Sequence, residues 1–263
     1  MNNILKWRSA KPSKKAYAVV TGAGSGIGRS FALELVKRNG AVVCADINLD
    51  SAKETVALIE QQGGTAYAVK CDVAKASQVK KLAEQSEQLL GNPVTLVINN
   101  AGVATAGNVE DTSIEDWGWV LDIDLMGVVL GCHQFAGLMK RQKSGHIVNV
   151  SSFAGLAGLP FIAAYGVAKA GVVALSEALR AEMQPHGVGV TVACPAFFKT
   201  GLLDTFRATK PATMATVTRW METSGISSEH VAQENAKHIA ENTFLLPTHA
   251  HTRKAWRMKR WVP

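Results

Sequence analysis

The chain has 263 residues, 47% of them hydrophobic, which is enough to build one large buried core. Its net charge of +7 is concentrated at the ends, because residues 1–15 and 249–263 each carry five basic residues and no acidic residue. Subtracting the +10 of the two ends leaves the body at −3, which argues against a nucleic-acid-binding groove. No linker-like or repeated segment interrupts residues 16–246, so the sequence predicts a single domain. No run approaches about 18 consecutive apolar residues, so no membrane-spanning helix is expected.

The two ends are predicted to lie outside this domain. The basic N-terminal extension, residues 1–15, lacks the apolar stretch of a secretory signal. The basic C-terminal tail, residues 247–263, places Trp256, Met258 and Trp261 among its charges. Each end is expected either to be solvated or to contact a neighbouring subunit or an anionic membrane surface. The aromatic residues make peripheral membrane contact by the C-terminal tail worth testing.

The four cysteines are scattered along the chain without the spacing of a metal site. Three of them fall in apolar, strand-like stretches. They are predicted to be buried free thiols, as is usual in a reducing compartment. The sequence therefore predicts a cytoplasmic protein with no metal ion.

Short apolar runs alternate with helical patterns along the chain. The predicted strands are residues 16–21, 41–45, 65–70, 94–98, 146–151 and 188–194. The predicted helices are residues 29–39, 50–62, 77–90, 113–139 and 163–184. Because the strands are continuous apolar runs, they indicate a parallel sheet that is buried on both faces. The alternation with helices predicts an α/β fold with a doubly wound, Rossmann-like sheet.

A glycine-rich turn, GAGSGIG, separates the first strand from its helix. Glycines there allow a tight turn and close approach of the backbone to a pyrophosphate, and the helix N-terminus offers free N–H groups. Asp46 ends the second strand, where a carboxylate can accept hydrogen bonds from an adenosine ribose and repel a 2′-phosphate. No cation occupies Ser25 or Ile47 to attract that phosphate, so the sequence favours NAD over NADP.

Polar residues also follow the third and fourth strands. Asp72 comes directly after the third strand, and the NNAG segment, residues 99–102, follows the fourth. Taken singly, each is typical of a turn. Ligands bind at the carboxyl ends of the strands in open α/β sheets, so together these residues predict a ligand-binding edge.

Ser152, Tyr165 and Lys169 are the candidate catalytic side chains. Tyr165 and Lys169 are four residues apart in a predicted helix, so they point the same way. A nearby cation favours the phenolate and lowers the pKa of a tyrosine, which suits a general acid/base. Ser152, at the end of the preceding strand, could hold a substrate oxygen. Taken alone, the three residues fit equally well a surface tyrosine, a helical pair and a turn serine.

With these residues assembled, about residues 16–200 resemble the short-chain dehydrogenase/reductase family. The resemblance rests on TGAGSGIG (21–28), Asp46, CDV (71–73), NNAG (99–102), Ser152, YGVAK (165–169) and CPAFFKT (194–200). It implies NAD-dependent hydride transfer with a secondary alcohol or ketone. It also implies that Tyr165 is the acid/base, that Ser152 orients the substrate oxygen, and that Lys169 binds the nicotinamide ribose and lowers the pKa of Tyr165.

The same resemblance implies a set of residues in contact with the NAD cofactor. These are Gly22, Ser25, Gly26, Ile27, Gly28, Asp46, Asp72, Val73, Asn100, Ala101, Gly102, Tyr165, Lys169, Phe198 and Thr200. The resemblance also implies a homodimer or homotetramer, although the C-terminal sequence differs from the family's usual tail. Ala196 replaces the glycine that usually follows Pro195.

Asp124 is the main departure from the family pattern and is counted among the candidate catalytic residues. The family usually carries an asparagine there, which helps to hold a water on the proton path of the lysine. An aspartate could keep the contact, raise the pKa of Lys169 and alter the proton relay. It could also simply be tolerated, because a backbone carbonyl does part of the work. Asp124 is the one feature that supports an alternative function, a weakly catalytic NAD-binding sensor or scaffold.

The substrate is predicted to be apolar, either lipid-, steroid- or ring-like. The segments after Ser152 and Pro195 are rich in large apolar side chains, and the cations Lys199, Arg207 and Lys210 are isolated in the sequence. Residues 196–225 are predicted to form a mobile lid. The candidate substrate-contacting residues are Phe153, Leu159, Phe197 and Leu203.

Overall fold

A computed structural model of the chain describes residues 14–196, 202, 205–222 and 226–247. Its strands are β1 (Tyr17–Thr21), β2 (Ala41–Asp46), β3 (Thr65–Lys70), β4 (Leu96–Asn99), β5 (Thr105–Ala106), β6 (Gly145–Val150), β7 (Val188–Cys194), β8 (Arg207–Ala208) and β9 (Leu245–Pro247). Its helices are α1 (Gly26–Lys37), α2 (Leu49–Glu60), α3 (Ala76–Leu90), α4 (Ile114–Leu121), α5 (Gly127–Gln142), α6 (Phe153–Leu156), α7 (Ala163–Met183), α8 (Pro211–Glu222) and α9 (Ser228–Ala240). A π-helical turn (Asp122–Met126) joins α4 to α5. Most of the basic N-terminal extension and of the basic C-terminal tail lies outside the described residues.

Seven parallel strands form one sheet in the order β3-β2-β1-β4-β6-β7-β9. The predicted doubly wound, Rossmann-like single domain is confirmed. β1 pairs with β2 on one side and with β4 on the other, so the winding reverses between β1 and β4. Crevices open at such a reversal, outside the carboxyl ends of the strands.

Helices cover both faces of the sheet, which explains why its strands are apolar throughout. On one face, Phe135 and Met139 of α5 and Met183 of α7 are buried against the strands. On the other face, Phe31 of α1 and Ile239 of α9 are buried. Alternate strand residues contribute to the two cores, as expected for side chains that point to opposite faces.

The structure contains elements that the sequence patterns did not predict. The predicted helix 113–139 is divided by the π turn into α4 and α5. After the lid, α9 packs on α1, and β9 adds a final parallel strand to β7, with Val192 opposite Leu245. Helix α9 completes the core on the side of α1, and Leu245 of β9 packs against the core on the opposite face.

The helical segment Ile114–Gln142, which comprises α4, the π turn and α5, is strongly apolar. One 18-residue window reaches a mean hydropathy of 1.3, so length and composition alone would allow it to span a membrane. In the fold, 39% of that window is buried, and core helices of soluble proteins pass the same test. A single helix of this kind is weak evidence for a membrane segment.

A buried histidine lies on β6, next to β7. The Nε2 atom of His146 is 2.8 Å from Thr191 Oγ1, and the Thr191 hydroxyl donates to the Thr243 carbonyl. Because the hydroxyl proton is already used, Nε2 must donate, which assigns the Nε2–H tautomer to the neutral ring. Burial, assisted by the charge of Arg180, lowers the pKa of His146 to about 3.

This histidine should make the fold acid-sensitive. Between pH 6.5 and about 3 the unfolded chain binds a proton at His146 that the folded chain does not bind, so the unfolding free energy falls as pH falls. His146→Gln should reduce the loss of unfolding free energy between pH 7 and pH 5 by about 2 kcal/mol, as measured by urea denaturation. The exposed His186 supplies the control, because H186Q should leave the wild-type loss unchanged. An unchanged loss in H146Q would contradict the assignment.

Candidate active site

A cavity of about 410 Å³ lies along the carboxyl edge of the sheet and spans the reversal between β1 and β4. It brings together thirteen of the fifteen residues predicted to contact a cofactor. The thirteen are Gly22, Ser25, Gly26, Ile27, Gly28, Asp46, Asp72, Val73, Asn100, Ala101, Gly102, Tyr165 and Lys169. Phe198 and Thr200 lie outside the described residues.

The glycine-rich turn is closely packed against the NNAG segment. Gly22 has a φ of +64°, and a Cβ atom there would lie 2.9 Å from the Cα of Ala101. A Cβ atom at Gly28 would lie 2.0 Å from the Gly22 carbonyl oxygen. The hydroxyl of Thr21 accepts hydrogen bonds from the backbone N–H groups of Asn100 and Ala101. Only glycine fits this cradle, and such a cradle suits the close approach of a pyrophosphate.

Asp46 is fixed at the rim of the cavity by backbone N–H groups. Its Oδ2 accepts from Gly24 at 2.8 Å, and its Oδ1 accepts from Asn48 at 2.9 Å. The nearby Arg29 side chain donates to Glu54 at 3.0 Å and to the Gly24 carbonyl, so it already has partners within the protein. The carboxylate of Asp46 is therefore held in a fixed position at the rim of the cavity.

Ser152, Tyr165 and Lys169 meet at the other end of the cavity. The hydroxyl of Ser152 accepts from the N–H of Ala154 as the N-cap of α6, and both Ser152 and Tyr165 line the cavity, where Ser152 acts to lower the pKa of Tyr165. Lys169 Nζ is 5.6 Å from the centroid of the Tyr165 ring and donates to the Val150 carbonyl at 3.2 Å. Ser152 thus lies just after the end of β6, and Tyr165 and Lys169 lie in α7, as predicted from the sequence.

The π turn directs Asp124 toward Lys169. Asp124 Oδ2 is 3.1 Å from Lys169 Nζ, and Oδ1 accepts from the N–H of Val103 at 2.7 Å. The exposed fractions of the two side chains are 0% for Asp124 and 4% for Lys169. Such turns insert one residue into the helical hydrogen-bond ladder and are frequent at functional sites. With an aspartate where the family usually has an asparagine, position 124 forms a buried ion pair with Lys169.

This ion pair determines the titration of the site. Burial acts to lower the pKa of Lys169, but the charge of Asp124, joined by that of Tyr165, outweighs burial and raises it. The pKa of Tyr165 is also raised, by burial first, with Asp124 acting in the same direction and Lys169 against it. Lys169 acts to lower the pKa of Tyr165, as expected, but burial and the charge of Asp124 outweigh it, so the net pKa is raised. The spacing of Tyr165 and Lys169 predicts that the lysine lies near the phenol. It does not predict that the phenol is buried or that Asp124 pairs with the lysine.

The cavity wall around Tyr165 is mainly apolar. Its members include Ala104, Trp119, Ile123, Phe153, Ala154, Ile162, Leu202, Thr205, Phe206, Val217 and Met221. Of the predicted substrate residues, Phe153 lines the cavity, and Phe197 and Leu203 lie outside the described residues. Leu159 is not part of the lining and instead packs on the small cluster beneath it, against residues such as Ala106 and Ile162.

Several of these residues were not predicted from the sequence. Trp119 and Ile123 belong to α4 and the π turn, and Val217 belongs to α8. No local spacing relates them to Ser152 or Tyr165, so only the tertiary structure brings them together. Two of the cations that are isolated in the sequence, Arg207 and Lys210, each pair with a carboxylate in the structure, and Lys199 lies outside the described residues. Arg207 is paired with Asp116 at 2.7 Å, and Lys210 with Asp111 at 2.5 Å.

Among the described residues, no group of three histidine, cysteine, aspartate or glutamate side chains is arranged to hold a metal ion. All four cysteines are buried and free.

Comparison with known families and proteins gives consistent results. The family described as short chain dehydrogenase matches residues 16–211. The probable oxidoreductase EphD of Mycobacterium tuberculosis is 42% identical over 195 residues, which cover 74% of this chain and 33% of that protein. This chain thus spans about a third of the length of that relative. A cyclohexanol dehydrogenase of an Acinetobacter species is 37% identical over 190 residues, which cover 72% of this chain and 75% of that protein.

The fold also matches solved structures. A short-chain dehydrogenase/reductase from Burkholderia phymatum, crystallised in complex with NAD, superposes with a TM-score of 0.88. It is 32% identical to this chain, and the alignment covers 93% of this chain and 92% of that one.

Proposed function

Since the chain belongs to the short-chain dehydrogenase/reductase family, a family of oxidoreductases, we propose that it transfers hydride between a nicotinamide cofactor and a secondary alcohol or ketone. The observation that carries this proposal is the meeting of Ser152, Tyr165 and Lys169 at one end of a cavity. The other end of that cavity has a glycine cradle and the held carboxylate of Asp46. A dinucleotide bound along it would extend from Asp46 toward Tyr165.

The protein's part in the reaction follows from these side chains. When bound, the cofactor supplies the site that accepts or returns hydride. In the direction of oxidation, the carbinol carbon loses a hydride and the alcohol oxygen loses its proton to the Tyr165 phenolate. Ser152 donates a hydrogen bond to the same oxygen and keeps it beside Tyr165. Lys169 holds the ribose and its positive charge favours the phenolate. Reduction uses the same steps in reverse, with Tyr165 protonated.

The alternative of a binding protein without turnover rests on Asp124. We do not favour this alternative, because the aspartate keeps its contact with Lys169. Its charge instead suggests a change in proton affinity. A raised pKa keeps Tyr165 protonated at neutral pH, which suits ketone reduction and makes alcohol oxidation faster in alkaline solution.

NAD is the proposed cofactor. Asp46 is in position to accept hydrogen bonds from the adenosine ribose, and its charge would repel a 2′-phosphate. Arg29 is held by Glu54 and by the Gly24 carbonyl, so it is not oriented as a free phosphate ligand. The structural relative crystallised with NAD adds support.

The proposed substrate is an apolar, ring-like secondary alcohol or ketone. The cavity wall beyond Tyr165 is apolar, and its described part contains no arginine. Lys169 is the one lysine in the described lining of the cavity, and it forms an ion pair with Asp124. The similarity to a cyclohexanol dehydrogenase points to the same class of compound.

We also propose a cellular location and an assembly for the protein. The four buried free thiols support a cytoplasmic location. A homodimer or homotetramer is the expected assembly, and we propose no nucleic-acid partner. Membrane contact by the basic C-terminal tail involves residues that lie almost entirely outside the described part.

Tyr165→Phe tests the acid/base role. It should lower the rate of NADH formation from an alcohol at least about 1000-fold, because the group that accepts the proton is lost. NADH binding, measured by fluorescence titration, should stay within about twofold of wild type, since the ring remains. Tyr67→Phe, in β3, is the control and should retain activity. Loss of NADH binding in Y165F would indicate a structural tyrosine instead.

Asp124→Asn tests the effect of the buried charge. Without the anion, the charge of Lys169 acts on Tyr165 against burial but no longer against Asp124, so the pKa of Tyr165 should fall. The acidic limb of kcat/KM for alcohol oxidation should therefore move to lower pH by about one unit. The measurement is a pH profile from pH 6 to 10. The exposed Asp122 of the same turn gives the control, D122N, which should keep the wild-type profile. An acidic limb that stays in place in D124N would be evidence that the aspartate is merely tolerated.

Asp46→Asn tests cofactor choice, because it removes the charge with little change in side-chain size and keeps one acceptor oxygen for the backbone N–H groups. The ratio of kcat/KM with NAD to kcat/KM with NADP should fall about tenfold, since repulsion of the 2′-phosphate is lost. D50N changes a neighbouring exposed carboxylate in α2 and should leave the ratio unchanged. A ratio that is the same in D46N and wild type would refute the ribose role.

A further inference from the structure

The indole ring of Trp119 lies between the cavity and a charged group of the lid. Trp119 lines the cavity, and the guanidinium carbon of Arg207 is 3.8 Å from the centroid of its ring. The Nη1 atom of Arg207 is also 2.7 Å from Asp116 Oδ1. Asp116 and Trp119 are three residues apart in α4, so both side chains lie on one side of that helix. The guanidinium thus bridges a carboxylate and an aromatic ring of the same helix.

The backbone fixes the position from which Arg207 reaches this ring. The N–H of Arg207 donates to the Ala104 carbonyl at 3.1 Å, and the N–H of Thr209 donates to the Ala106 carbonyl at 2.9 Å. These bonds pair β8 with β5. Ala104 itself lines the cavity. Arg207 therefore belongs to a part of the lid that is directly attached to the cavity wall.

The next segment of the wall is attached in the same way. The N–H of Gly107, directly after β5, donates to the Phe161 carbonyl at 2.7 Å. Ile162, which follows Phe161, lines the cavity three residues before Tyr165. Phe161 has a φ of +67°, which is uncommon for a residue with a side chain. The lid strand, β5 and the segment before Tyr165 are therefore linked side by side.

A second ion pair of the lid lacks the ring contact. Lys210 Nζ is 2.5 Å from Asp111 Oδ2, and both side chains are partly exposed. Exposed pairs of this kind contribute little to stability. The Arg207 pair differs because its guanidinium also stacks on an aromatic face that forms the cavity wall, an arrangement to which arginine is better suited than lysine.

We propose that Arg207 is a positioning residue: with Asp116, it holds the Trp119 ring as a fixed wall of the substrate cavity and so determines the size of the ring-like alcohol or ketone that binds. This inference rests on the proposed function. Loss of the guanidinium frees the indole to adopt other rotamers. A small ring then loses a contact surface, while a bulkier ring gains space.

The kinetic test compares cyclohexanol with 4-tert-butylcyclohexanol as substrates with NAD. Arg207→Met should raise KM for cyclohexanol about tenfold, with kcat within about twofold of wild type, and should shift kcat/KM selectivity toward the bulkier alcohol by a similar factor. R207K keeps the charge without the planar stack and should restore part of the selectivity. K210M breaks the other lid pair and should match wild type. Equal selectivity in R207M and wild type, or equal shifts in R207M and K210M, would overturn the proposal.

A second measurement needs no turnover. In protein labelled with 5-fluorotryptophan, the fluorine resonance of Trp119 is identified by its disappearance in W119F. This resonance should shift and broaden in R207M, move back toward its original position in R207K, and stay in place in K210M. An unchanged resonance in R207M would overturn the proposal. If wild-type protein oxidises neither alcohol but the resonance responds as described, the fault lies with the proposed substrate and not with the role of Arg207 on the ring.

Discussion

The buried contact between Asp124 and Lys169 is the constraint on which the rest of the site depends. Two charges that are removed from water cost several kcal/mol each unless other groups compensate them. Here the N–H of Val103 donates to Oδ1 of the carboxylate, Oδ2 lies 3.1 Å from the ammonium, and the Val150 carbonyl accepts from the ammonium. The pair thus joins the π turn, the loop after β4, the end of β6 and α7. Together these elements position Tyr165 and Ser152 against the cavity.

The contact between Asp124 and Lys169 also influences the pKa of Tyr165. An asparagine at position 124 would leave the lysine's charge free to act on Tyr165, whereas the aspartate offsets that charge within 3.1 Å. Burial then dominates, and the pKa of the tyrosine is raised. In the proposed reaction, the departure from the family pattern would therefore keep the contact with Lys169 and change the pH at which each direction of the reaction is favoured.

Much of the fold and of the cofactor end of the site could be predicted from the sequence, because local patterns carry them. The apolar runs predict the strands, and the glycine-rich turn and Asp46 fall at their carboxyl ends. The π turn could not be predicted, since nothing in DIDLM distinguishes it from a regular helix. The pairing of Arg207 with Asp116 and Trp119 depends on contacts between distant segments, and so does the absence of Leu159 from the described cavity lining. The raised pKa of Tyr165 depends on burial, which spacing does not reveal.

Transfer of a labelled hydrogen tests most directly whether the chain is an NAD-dependent alcohol oxidoreductase. Wild-type protein is incubated with NAD and a series of secondary alcohols of increasing ring size, each deuterated at the carbinol carbon. The predicted result is NADH that carries the deuterium, detected by mass spectrometry, from at least one cyclic alcohol of the series. Absence of deuterium in the cofactor with every alcohol at pH 7 and pH 9, from protein that binds NADH, would contradict the proposed function.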